Sequence, residues 1–422
     1  MIDLHLDGYK SEFVNTLVNS HTVRFRVRIH NGNEEQIGAA DENLRILGGA
    51  VQVDAKADVT RALDLTLLDP GEKVKLDPDN VKEAAFSHER FISVQRGVWV
   101  KQMDNGEGDW VWVPIFWGPL ASFDRTGSEV SVMALGKESL MLAPHLMYQS
   151  MHLNRGTKVT DGIKRILRHY GETRFDIPDL AYKVRKKGGI SIGRWEEGWR
   201  AAQRLANSID RQLYYDARGK AVLRRHQENV VWVFNENGSK ADILSEIQVG
   251  YDFDNVRNVV VVRGSLGKKD KRQIEAIARP PRTHPLHPMN MQRNGVPRRM
   301  IERTEVGHLK NHMEARDVAE RKLRSFLRAE QSCSFEALVI PHLEERDVIG
   351  VRGDETWMDI HLEQFTIPLS AEEPMSVGYM RKRPIARTKK PRVSIRKWTP
   401  KPEKKKQQAK KDEKKAEPKN KS

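Results

Sequence analysis

The sequence predicts a mainly β chain with an α+β insertion and a strongly basic C-terminal tail. Three observations carry this: strict apolar–polar alternation in the first third, a change to helical period in the middle, and a collapse of apolar content after residue 380. With 422 residues the chain exceeds the roughly 250–300 at which a single core stops growing, so more than one domain is expected.

The alternation starts at Thr22-Val23-Arg24-Phe25-Arg26-Val27-Arg28-Ile29-His30, where apolar residues occupy every second position. That period puts them all on one face of a strand. Val51, Val53, Ala55, Ala57 and Val59 repeat the pattern, as do Leu63, Leu65 and Leu67. Val98-Trp99-Val100 and Trp110-Val111-Trp112-Val113 flank the Gly/Asp-rich stretch 104–109, which reads as a hairpin. Glu129 to Met133 closes a first β domain at 1–136.

Between about 137 and 245 an α+β module is expected. Ile163, Ile166, Leu167 and Tyr170 fall on one helix face, with Thr160 or Asp161 as cap and Gly171 as stop. A second helix over about 195–209 carries Trp199, Ala202, Ala206 and Ile209 on one side and leads into a hairpin turning at Asp216–Gly219. A second β domain is expected over 246–380, with a buried strand at 258–264, a Pro-rich irregular loop at 279–299, a helix over 306–329 and strands at 332–340, 347–352 and 357–367.

Charge divides the chain unevenly. The whole holds 73 Lys+Arg and 58 Asp+Glu; residues 381–422 hold 19 and 4 of these, leaving 54 of each in the body. The basic character therefore belongs to the tail, and a neutral body gives no general nucleic-acid surface. The tail has 7 apolar residues in 42, too few to offset the entropy of ordering, so disorder is expected there. Lys389, Lys390, Arg392, Arg396, Lys397, Lys404, Lys405 and Lys406 form its candidate site for an acidic partner or nucleic acid. Arg185–Lys187 and Lys268–Arg272 read as solvated loops.

Chemical motifs are sparse. The one cysteine, Cys333, excludes an internal disulfide and reads as a buried thiol on the apolar side of a strand. His308 and His312 have the i, i+4 spacing of a metal pair, but Leu-Lys-Asn between them supplies no Glu base. His284 and His287 read as loop residues. Glu196 and Glu197 stand beside Trp195 and Trp199, yet adjacent helical residues diverge by about 100°, so helix-dipole complementation accounts for them better than glycosidase chemistry. The Gly-rich stretch 186–193 fits no phosphate-binding fingerprint. No cofactor or metal is expected and the chain reads as a non-enzyme. The N-terminus has no signal-peptide pattern and no window approaches a membrane span.

The order of elements resembles the baseplate-hub or tail-hub (tail-tip) proteins of long-tailed bacteriophages. Four stretches carry the resemblance: Ala62–Pro70 with Phe116–Leu120, the Trp199–Leu223 helix and hairpin, Asn258–Gly264, and the long helix followed by Ile340–Leu343 and Asp347–Val351. Such proteins usually have Gly-Asp before the last of these strands, and Arg346 stands in the place of the Gly. The resemblance implies two tube-like antiparallel β-barrel domains per subunit and a homotrimer whose six such domains join a sixfold tube to a threefold tip. It implies as partners a tail-tube or distal tail protein, a central fibre or tip protein, and a tape-measure protein or DNA met by the basic tail. The expected location is the virion tail tip, after assembly in the host cytoplasm. The rival expectations are a nucleic-acid-binding protein acting through its tail and a tail-associated cell-wall hydrolase, which would need a further domain.

Overall fold

The computed structural model describes residues 1–398 except 3, 5–9, 40–44, 70–76, 78–85, 88–89, 102–107, 185–187, 210, 226–228, 239–240, 253–255, 267–272, 310–311, 328–329, 355–356 and 383–391. The chain forms two compact units. The first holds Met1–Gly250 with Ser332–Arg381, and the second Tyr251–Gln331 with the segment from Lys382 on.

The first unit opens on a helix that local pattern did not announce, α1 (Lys10–Leu17), which buries Phe13 and Leu17 one turn apart. The strands β1 (Val23–His30), β2 (Gln36–Ala39), β3 (Arg45–Asp54), β4 (Arg61–Leu68), β5 (Phe91–Lys101), β6 (Gly108–Thr126) and β7 (Glu129–Leu135) follow. β1 turns Val27 and Ile29 inward, as alternation requires. The predicted hairpin pairs Val98 with Val111 and Trp99 with Trp110; its tip lies outside the described residues. β6 runs on for 19 residues, leaving β5 to pair with β7. Pro114 and Pro119 and bulges at Val94/Gln95 and Leu120/Ser122 mark its bend. Gly118 sits where a Cβ would lie 1.9 Å from the Leu135 carbonyl oxygen, so only glycine fits the crossing.

A module with its own core follows. It comprises β8 (Met151–Leu153), α2 (Val159–His169), β9 (Phe175–Asp176), β10 (Ile190–Ile192), α3 (Gly198–Asn207), β11 (Gln212–Tyr215) and β12 (Ala221–Arg224). Ile163, Ile166 and Leu167 of α2 pack with Trp199, Ala202, Leu205 and Ala206 of α3. Trp199 stacks on Tyr215 at 5.3 Å between centroids. The N-cap of α2 is Lys158, without a side-chain cap bond; Thr160 and Asp161 lie inside the first turn rather than capping it. Gly171, with φ of 80°, ends the helix as predicted. α3 starts three residues later than expected, so Glu196 and Glu197 precede it rather than filling its first turn.

The module is shorter than 137–245, because β13 (Val230–Asn235) returns to the first unit's β structure. It pairs in parallel with β19 (Val348–Arg352), which pairs with β20 (Trp357–His361). The expected second β domain at 246–380 is likewise divided. β14 (Gln248–Asp252), β18 (Glu330–Ala337), β21 (Gln364–Pro368) and β22 (Met375–Lys382) join one eleven-stranded sheet with the early strands, in the order β14-β18-β22-β21-β3-β4-β7-β6-β5-β1-β2. The seam is antiparallel pairing of β21 with β3, Phe365 opposite Val53 and Ile367 opposite Val51. All four side chains are buried in one core shared by early and late strands, and that shared burial overrides any boundary at 246.

The second unit is a four-stranded sheet ordered β17-β15-β16-β23, with β15 (Val259–Leu266), β16 (Gln273–Arg279), β17 (Ile301–Leu309) and β23 (Arg392–Trp398). One helix, α4 (His312–Phe326), lays Ala315, Ala319 and Leu323 on Val260, Val262, Ile274 and Ala276. The predicted helix start at 306 is corrected: 301–309 is a strand. The tail expectation is corrected too, since residues 392–398 pair antiparallel with β16, from Arg392 opposite Arg279 to Trp398 opposite Gln273. Residues 279–299 are mostly turns and bends between β16 and β17.

Candidate functional site

The sequence-predicted basic site is only partly placed. Arg392, Arg396 and Lys397 lie on β23, with Arg396 opposite Glu275 and Lys397 opposite Ile274. Lys389, Lys390, Lys404, Lys405 and Lys406 lie outside the described residues. The His308–His312 pair fails as a helical metal site because His308 is on β17 and His312 begins α4. Among the described residues no cluster of three or more His, Cys, Asp or Glu could hold a metal ion. Glu196 pairs with Arg204, and Glu197 with Arg200 at 2.8 Å, so both serve ion pairs around α3. Cys333 is fully buried, and burial pushes its thiol up to about 11.

The largest concentration of buried charge was not foreseen. It lies where the loop before β19, Glu344-Glu345-Arg346-Asp347, meets β4, the β11–β12 turn and the N-terminus. Arg61, on the first residue of β4, is 3% exposed and donates to Glu344 Oε1 at 3.1 Å, Glu345 Oε2 at 3.2 Å and the Ile115 carbonyl at 3.3 Å. The Ala217 N–H donates to Glu344 at 3.2 Å. Asp347 receives the α-amino group of Met1 and the Glu344 N–H. Arg224 donates to the Glu345 carbonyl at 2.8 Å and lies 3.5 Å from Asp347.

Titration follows from this crowding. Burial, then the like charge of Glu344, raises Glu345 to about 8, against the opposing pull of Arg61. Glu344 is raised mainly by burial, and so is Glu138 beside them. Burial disfavours the Arg61 cation, but Glu344 and Glu345 outweigh it and hold its pKa above the ordinary value. In this sealed cluster Glu344, Glu345 and Asp347 each hold at least one donor, the arrangement of a fastening. It ties the chain's beginning, first sheet, insertion and late loop at one point.

Arg346, flagged by sequence as standing where glycine is usual, has φ of 62°. The left-handed turn is therefore kept with an arginine in it. Its N–H donates to Leu362 O at 2.6 Å and its guanidinium to Ala55 O at 2.9 Å, bonds that offset the strain.

A second network fixes the module to the first strands. Lys137 pairs with Glu34 and with Glu172, the latter at 2.6 Å, while Arg174 reaches Glu34 at 3.0 Å and covers the Trp117 ring at 4.3 Å. The Tyr215 hydroxyl donates to Glu172 at 2.9 Å. His30, bonded to Ser93 at 2.9 Å, is held down to about 4 by burial.

Two clefts open on the surface of the first unit. An open cleft of about 960 Å³ runs over the face of β3, β21, β22 and β18; Asp54, Glu246 and Glu336 are its charged lining, amid Gln, Ser and Thr side chains. Beside β1, Arg24, Arg26, Arg28 and Arg45 line a groove of about 480 Å³ together with Phe25, Ile46 and Trp112.

This architecture is similar to that of tail proteins of known structure. The tail protein from Neisseria meningitidis MC58 superposes with a TM-score of 0.54 at 14% identity, over 85% of this chain and 96% of that one. The 43 kDa tail protein of prophage MuSo2 from Shewanella oneidensis gives 0.56 at 9% identity, over 86% and 98%. At such identities the likeness is one of fold. No protein-family model matches the sequence, and no curated protein sequence does.

Proposed function

We propose that this protein is a structural subunit of a phage-type tail, acting at the tip as a hub. The observation that carries the reading is the shared fold: both tail proteins are covered almost end to end by this chain. The proposal follows the resemblance in detail. Three copies form a ring, each offering two β regions, so that the sixfold tube above meets a threefold tip or fibre below, and DNA leaves through the middle. Obligate ring subunits present the same patches to their neighbours in every copy. The networks centred on Arg61 and Lys137 suit that task, because they hold the module and the late loop rigidly to the sheet that would meet the neighbours. The basic segment 381–422 is proposed to contact an acidic partner, tape-measure protein or DNA through its lysines and arginines.

Immunogold labelling of intact particles tests the reading. Gold at the tail tip supports it; gold along the tube or on the capsid, or no labelling of particles, refutes it.

A further inference from the structure

We infer that the Arg–Trp face of β1, β5 and β6 is a binding surface for the phosphodiester backbone of DNA, separate from the basic C-terminal segment.

Alternation places Arg24, Arg26 and Arg28 on the outer face of β1, about 7 Å apart at two residues per step. Arg24 lies over the Trp110 ring at 4.8 Å and Arg26 over Trp112 at 3.7 Å. The tryptophans hold one another: Trp99 meets Trp110 edge-on at 5.3 Å, and Trp110 stacks on Trp112 at 5.8 Å. The platform depends on glycine, since a Cβ at Gly97 would lie 2.8 Å from the Trp112 ring. Arg45 of β3 lines the same groove, and among the described residues no carboxylate does. Among the described residues, none forms an ion pair with Arg24, Arg26 or Arg45.

A guanidinium stacked flat on an aromatic ring keeps its in-plane N–H donors directed outward, and its forked geometry matches a phosphate. Stacking also fixes the side chain beforehand, which reduces the entropy lost on binding. The occupant must therefore be a chain carrying anions at regular spacing. An acidic peptide adding to the sheet would pair through its backbone along a strand edge, whereas these arginines stand on the face of β1. A membrane surface would ask for apolar side chains free to insert, whereas Trp110 and Trp112 lie beneath guanidinium groups. Phosphates of a nucleic-acid strand, borne on the outside of the polymer, meet the face through side chains alone. Without base-edge readers in the groove, binding is independent of sequence.

The inference rests on the tail reading only for the source of the DNA, and the two fail separately, because tip labelling does not depend on these arginines. The test is fluorescence anisotropy of a labelled short DNA duplex with the full chain over a salt series. Arg24→Gln/Arg26→Gln/Arg45→Gln is expected to weaken binding more than tenfold. It should flatten the log–log salt slope by about 0.9 per contact, near 2.7 for three. Lys404→Gln/Lys405→Gln/Lys406→Gln isolates the tail's contribution and should leave the ladder's share of the slope in place. Arg24→Lys/Arg26→Lys, checked by near-ultraviolet circular dichroism of the tryptophans, guards against misfolding; it should keep the slope while losing affinity severalfold. Wild-type protein that does not bind the duplex at low salt would overturn the inference. So would a triple variant with unchanged slope and affinity. Displacement by poly-glutamate as effective, charge for charge, as unlabelled DNA would assign the face to an acidic protein instead.

Discussion

Replacing Arg61 by methionine removes the only cation within hydrogen-bonding distance of the Glu344 and Glu345 carboxylates among the described residues, since Arg224 reaches a carbonyl of this loop instead. Both acids are at most 2% exposed, so water cannot take over, and breaking such a buried pair costs about 3–5 kcal/mol. For a unit of this size, about 2–4 °C of melting temperature is lost per kcal/mol, giving a fall of roughly 6–20 °C. The pH dependence adds a sign. Glu345 has a folded-state pKa near 8, above its ordinary value of 4.5, so its contribution is full below pH 4.5 and is lost as pH rises through 8. Without Arg61 both acids are pushed higher still, and the variant should lose up to about 1.4 kcal/mol per pH unit for each extra proton its folded state retains. The deficit against wild type must therefore be larger at pH 8 than at pH 5.5. Adding Glu345→Gln should recover part of it. The assay is thermal unfolding at the two pH values. A shift below about 1 °C, or a deficit that grows as pH falls, would refute the account of this cluster.

Three further perturbations follow. Arg346→Gly relieves a left-handed φ but forfeits the bond to Ala55, and should be near neutral in chemical denaturation, whereas Arg346→Ala keeps the strain, loses the bond and should cost about 1 kcal/mol. Gly118→Ala drives a Cβ into the Leu135 carbonyl and should cost more than about 2 kcal/mol or prevent folding, read from soluble yield and melting temperature. Cys333 should resist a thiol reagent at pH 8 in the native state and react fully after unfolding, because it is buried and its thiol is raised to about 11; native labelling would contradict its placement.

Local period made the local elements legible. β1, the β5–β6 hairpin, α2 and the β11–β12 hairpin stand near where alternation and i, i+4 spacing put them, because each pattern is set by the element's own exposed and buried faces. What the pattern lacked was pairing at a distance. Nothing in Gln364-Phe365-Thr366-Ile367 states that β21 pairs with β3 three hundred residues earlier, and so the boundary at 246 was misplaced. Composition misled in the tail: Val393 and Ile395 alternate within Arg392–Trp398, but the surrounding lysines and prolines dilute seven residues into a polar average. The Arg61 cluster left a faint signal, three acids between Leu343 and Val348 amid apolar strands, and charge in such a setting points to a buried partner. Alternation alone assigns the arginines of β1 only to the face opposite the apolar residues. Their stacking became visible only when β6 brought Trp110 and Trp112 beside them.

The central claim is that this chain is a tail-tip hub, and the stoichiometry of the assembled tail tests it most directly. Cryo-electron microscopy of purified tails, with the tip reconstructed without imposed symmetry, should place three copies in a ring around an open channel, beneath a sixfold tube. One copy, six copies, or density for this fold away from the tip would contradict it.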